Sequence, residues 1–149
     1  MKDLVKRLRV VKELSDADIP VNVMVAPVIP GLNDHEIFDT VKAAAEAGAR
    51  SVGHIMVRLN GDVHEIFVDW LHKNFPDRAA KVLNKIKSVH GGQTNDSQFG
   101  RRMKGEGSYA SIVADQIKLA RRQFLKGRSM PEYNLELYHV WKDKQLKLF

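Results

Sequence analysis

The stretch VMVAPVIPGLNDHE, residues 23–36, joins a strand-forming run to a rigid turn. Pro27 and Pro30 fix φ and remove two backbone donors, so a ladder is expected to stop there. Gly31 permits a positive φ and a close approach of backbone to a ligand. A helix opening near Asp34 would turn free N–H groups toward the same place. By spacing alone, the segment is either a ligand-facing strand end or simply a stiff strand-to-helix turn. The second β-rich run, SVGHIMVRL, alternates. Ile55, Val57 and Leu59 fall on one face, and His54, Met56 and Arg58 on the other. A polar face under a covered sheet is costly unless it lines a site. Arg58, at the strand's end, would then reach a carboxylate or phosphate; otherwise it turns into solvent. Further on, Arg101, Arg102 and Lys104 stand among Gly100, Gly105 and Gly107. Cations and exposed amides of that kind grip phosphates, and Phe99 and Tyr109 could stack on a base. The plain alternative is a solvated loop packed against the rest of the chain or a partner.

Other chemistries are disfavoured. The chain has no cysteine, which removes disulfides, thiol nucleophiles and thiolate-held zinc or iron–sulfur clusters. Its six histidines give no His-Glu-x-x-His pattern, and His64 and His72 do not share a helical face. His35 beside Glu36 is a poor ligand set, and no nucleophile elbow is present. The net charge of +6 is uneven: residues 1–75 carry 9 Lys/Arg against 11 Asp/Glu, and residues 76–149 carry 15 against 7. A basic half points to an anionic partner or to a lysine-rich soluble face.

These residues need elements to position them. Leu4, Leu8, Val11 and Leu14 share one face of an amphipathic helix over 2–15. VNVMVA is a strand with Val21, Val23 and Val25 under helices and Asn22, Met24 and Ala26 opposite. Asn33 or Asp34 is expected to cap the next helix, which closes at Gly48. After SVGHIMVRL, a helix runs to Pro76 and another to Gly91-Gly92. A long glycine-rich loop over 91–108 precedes an amphipathic helix carrying Tyr109, Ile112, Val113, Gln116, Ile117, Ala120 and Phe124 on one side. The tail from Asn134 alternates like a strand for a few residues but equally suits a helix.

Helices alternating with strands imply parallel strands under helices, an α/β class. Two strands make an incomplete sheet with unpaired edges. The chain is therefore expected to be part of something larger, or to self-associate through those edges.

The segment IPVNVMVAPVIPGLNDHEIFDTVKAAAEAGARSVGHIMVRL resembles the fifth and sixth strand units of radical S-adenosylmethionine enzymes. It is most similar to their DNA-repair-photolyase-like branch, relatives of spore photoproduct lyase. Pro27-x-Ile29-x-Gly31-x-x-Asp34 stands where that superfamily carries Gly-x-Ile-x-Gly-x-x-Glu, whose apolar side chain packs on the cofactor's adenine. Pro27 and Asp34 depart from the pattern. The most distinctive match is Phe-Gly-Arg-Arg-Met-x-Gly-x-Gly, Phe99 to Gly107, and the resemblance covers most of the chain except the tail.

The resemblance implies a partial (β/α) barrel: residues 1–90 as its C-terminal half, and 91–149 as a basic loop and mainly helical extension in the same folding unit. It implies that Met24, Pro27, Ile29, Gly31, Asp34, Met56, Arg58 and Leu59 would line part of the adenine side of an S-adenosylmethionine pocket. The three-cysteine loop that binds a [4Fe–4S] cluster in that family has no counterpart, so the chain by itself is expected to be inactive. Its partner would be the missing N-terminal half-barrel or a second copy. The alternative is a non-catalytic nucleic-acid-binding or assembly module working through Phe99, Arg101, Arg102 and Lys104. With no membrane span or signal-peptide core expected, a cytoplasmic location is the default.

Overall fold

β-Branched runs at 22–28 and 51–56 pair as two parallel strands, and helices supply the rest of the structure. The computed structural model describes residues 2–95, 99 and 102–144. Helix α1 (Lys2–Asp16) leads into strand β1 (Asn22–Val28). A 3-10 turn, Asp34–Glu36, opens helix α2 (Ile37–Glu46), which returns to strand β2 (Ser51–Met56). Helices α3 (Val63–Asn74), α4 (Pro76–Ser88), α5 (Gly107–Phe124) and α6 (Glu136–Lys144) follow. The class is mixed α/β.

Local chemistry explains most boundaries. Pro76 sits at the first position of α4, where its missing N–H breaks nothing, so one proline separates α3 from α4. Gly48, at φ +98, ends the α2 segment, and its N–H bonds the Ala45 carbonyl. Of the tail, Glu136–Lys144 is helical rather than extended.

Strand β1 runs past the expected stop. Pro27 lies inside it, after a cis Ala26–Pro27 bond, and a bulge between Val25 and Val28 brings Val28 opposite Met56. A bulge is where a residue without an N–H is tolerated, so the proline interrupts the ladder without ending the strand. Strand β2 is shorter than SVGHIMVRL, and residues 57–59 leave the sheet. The Val57 N–H still reaches the Val28 carbonyl at 2.9 Å.

The pairing also corrects the parity of β2. Val23 pairs with Val52 and Val25 with His54, so His54 lies on the same face as the covered valines. Met24 pairs with Gly53 on the opposite face, where Met24 is 46% exposed. The expectation had His54 and Met56 on the open face. Met56 is buried instead, because it alternates in phase with Val52 and His54, and the bulge in β1 turns Val28 onto that same covered face.

Two clusters hold the chain together. The larger joins Val28, Val41, Val52 and Met56 to Val113 and Ile117 of α5, with Leu8 and Val11 of α1 at its margin. Helix α5 thus covers the sheet beside α2 and shares one core with the first half of the chain. Burial of each large aliphatic side chain contributes about 1.5–3 kcal/mol. The smaller cluster, Val57, Leu59, Leu71, Val82 and Ile86, packs α3 and α4 beyond the C-terminal ends of the strands. Loop residues beyond α4 touch β2: the Met56 N–H donates to the Met103 carbonyl at 3.0 Å. That contact satisfies a donor that the strand pair leaves free.

Candidate functional site

The C-terminal ends of β1 and β2 gather most of the residues singled out by sequence. Gly31 has φ +80, a conformation that favours glycine. A Cβ there would stand 3.1 Å from Cδ of Lys85, so the missing side chain also makes room for that lysine. Asn33 does not cap the following helix. Its Oδ1 accepts from the Ile29 N–H at 2.7 Å, and its Nδ2 donates to the Pro27 carbonyl at 3.0 Å. Both ends of the amide are occupied in holding the Pro-Gly turn together, the local Asx chemistry that competes with capping.

Asp34 does not cap the helix either. Its carboxylate accepts a hydrogen bond from the Tyr109 hydroxyl, 75 residues away, at the start of α5. Lys85 of α4 donates to the same hydroxyl oxygen at 2.9 Å, and its ammonium lies 4.5 Å from the Tyr109 ring centroid. Burial, and then the bond to Asp34, raises the Tyr109 pKa above its ordinary value, while Lys85 opposes that shift. The three side chains satisfy one another. They form a latch that ties the Pro-Gly turn to α4 and α5 across the strand ends.

The remaining candidates separate. Met24 and Pro27 are exposed, Met24 on the open face of β1. Ile29 is partly buried against the smaller core cluster, and Leu59 belongs to that cluster at 2% exposure. Met56 and Leu59 are therefore packed among helices and line no open surface. Arg58 is half-buried and makes no ion pair among the described residues. Phe99 is 88% exposed, with the Arg102 guanidinium 5.7 Å from its ring centroid. Arg101 lies outside the described residues. Lys104 lies near His54, whose pKa is lowered by burial first and by that lysine second.

Sequence reasoning overlooked Lys85, assigned Tyr109 only a stacking role, and passed over His90. The His90 side chain is buried, and its Nε2–H donates to the Val57 carbonyl at 2.7 Å, pinning the end of α4 to the segment beyond β2. Lysine at a helical position carries no signal for a contact with a residue so distant in sequence. Tyr109 already had an apolar helical stripe to explain it.

The strand ends also test the implied cluster. The chain has no cysteine, and no group of three His, Cys, Asp or Glu among the described residues could hold a metal ion. The residues present do not fit a [4Fe–4S] cluster. Among the described residues, no helix is long and apolar enough to cross a membrane. Comparison of the chain with protein-family models, with curated proteins and with solved structures finds no match.

Proposed function

We propose that this chain is the C-terminal part of a radical S-adenosylmethionine barrel, contributing two strands and part of the adenine-side wall and performing no chemistry alone. One observation carries the reading: the strand pair is covered more fully on one face than on the other, which lies open along β1. Helices α1, α2 and α5 pack over Val23, Val25, Val28, Val52 and Met56, while Asn22, Met24 and Ala26 of the other face are exposed. In a closed barrel that second face is the lumen, and ligands meet the C-terminal strand ends. Gly53 fits such a lining, since a Cβ there would fall 2.8 Å from Sδ of Met24. A sheet of only two strands favours completion by further strands. The absence of cysteine leaves cluster-dependent chemistry to another segment.

The test is co-expression of this chain with a tagged cysteine-bearing half-barrel encoded by the adjoining upstream reading frame. Co-purification is expected, with protection of the β1 and β2 amides from hydrogen exchange. Met24→Lys should melt like the unaltered chain yet fail to co-purify, because the substitution places a charge in the lumen. Failure of the unaltered chain to associate would remove the reading.

A second reading, a non-catalytic nucleic-acid-binding module acting through the 99–107 loop, is favoured by exposed Phe99 with Arg102 stacked beside it. Arg102→Glu should then abolish oligonucleotide binding.

A further inference from the structure

At the opposite end of the sheet from the latch, α5 finishes beside the start of β2. Here Lys118, Arg121 and Arg122 of α5, Lys126 and Arg128 of the following turn, and Arg50 before β2 line a cleft of about 540 Å³. Among the described residues, the only other lining one is Leu125, which is itself buried, and no carboxylate lines the cleft.

One of the six cations has a structural task. Arg128 Nη1 donates to the Ala45 and Ala49 carbonyls at 2.7 and 2.9 Å, closing the C-terminal end of the α2 segment. The other five form no ion pair or side-chain hydrogen bond among the described residues. On α1, Arg9 and Lys12 each meet an acidic partner one turn away, at 2.8 Å, and Lys6 and Arg7, unpaired among the described residues, are a group of two rather than five. Cations grouped on one surface, with Glu46 the one carboxylate among the described residues of the adjoining cavity that Arg50 and Arg128 also line, raise the local positive potential and so attract an anion. Arg121 and Arg122 also complement the dipole at the end of α5, but that effect requires neither Arg50 nor Lys126.

We propose that this cleft binds the phosphodiester backbone of a nucleic acid. Five free cations exceed what one small phosphate neutralises, and they are carried on three separate segments, which suits a chain of repeated charges. A bilayer is too flat to enter a cleft, and the lining offers no exposed apolar side chain to insert into one. Guanidinium groups supply forked donors matched to phosphate oxygens. Contacts of this kind position a strand without reading its bases, so the binding should be indifferent to sequence.

The experiment is fluorescence anisotropy of the full chain with labelled single- and double-stranded oligonucleotides over a salt series. With all five free cations engaged, log Kd should rise against log salt with a slope of about 3.5 on a single strand. Arg121→Ala/Arg122→Ala should lower that slope by about 1.4, as should Lys118→Gln/Lys126→Gln in a second region of the same cleft. Lys6→Ala/Arg7→Ala on α1, which removes equal charge elsewhere, should leave the slope unchanged. Circular dichroism melts should match across these exposed positions. No binding at low salt would overturn the proposal. So would equal losses in the α1 variant, dependence on Arg102 alone, or preference for poly-glutamate, phosphatidylserine vesicles or inorganic phosphate over the oligonucleotides.

Discussion

Helix α5 begins at the latch beside the strand ends and finishes at the basic cleft, and the two ends treat charge in opposite ways. At its start, Tyr109 stands between the Asp34 carboxylate and the Lys85 ammonium. At its finish, Arg121 and Arg122 have no anionic partner among the described residues. A polar group whose bonds are satisfied inside the protein stabilises the fold and has little left to offer a ligand. Solvated and unpaired cations contribute little to stability and remain available. The strand ends, where sequence placed the functional expectation, are thus the more structural of the two regions.

The strongest challenge to this comparison acts on what joins the two ends. Ile117 is buried in the core between them. Ile117→Ala should cost about 2–5 kcal/mol in urea denaturation, the usual range for such a cavity. Because the core is shared, fluorescence near the latch and binding at the cleft should be lost in one transition. Two separated transitions would show the ends to be independent.

Within the cleft, the comparison sharpens to neighbouring arginines. Arg128→Ala removes the guanidinium donor from the Ala49 carbonyl and from the Ala45 carbonyl, which keeps the Gly48 N–H, and should cost about 1–3 kcal/mol. Arg122→Ala, at an exposed site with no partner to lose, should shift the urea midpoint by no more than about 0.5 kcal/mol. Similar effects at both positions would mean that the cations are all structural.

The smallest expected effect is at the latch. Tyr109→Phe removes the hydroxyl that Asp34 and Lys85 share and should cost about 0.5–1.5 kcal/mol near neutral pH. The pH dependence has a definite sign. The folded-state pKa of Tyr109 is raised, so the folded chain holds the phenol proton more tightly than the unfolded one. The stability linked to that proton is fully present below the ordinary value of 10.0 and is lost as pH climbs through the raised one. Urea titrations at neutral and alkaline pH should therefore show a steeper alkaline loss for the unaltered chain than for Tyr109→Phe. Equal slopes would remove the latch from the account.

Much of the local structure was legible because it follows from neighbours in the chain. The 3.6-residue stripe of α5 identified Val113 and Ile117 as inward-facing, and Gly48 marked the end of the α2 segment. Pro76 marked the boundary between α3 and α4. Pro27 misled because the effect of proline on a strand depends on whether a bulge accommodates it. That bulge also turned Val28 onto the covered face opposite Met56. Parity counted along one strand could not reveal which face of β2 is covered, since His54 is assigned by its pairing with Val25.

Sequence by itself determined the α/β class, the helical and strand runs, the absence of thiolate ligands and the excess of cations after residue 75. Each of these depends on residue type or on short-range periodicity. Only the tertiary structure decided that Asp34, Lys85 and Tyr109 meet, that Asn33 braces a turn instead of capping a helix, and that Arg50 joins the cations of α5. Those partnerships close loops of tens of residues, and no local propensity records which distant side chain will arrive.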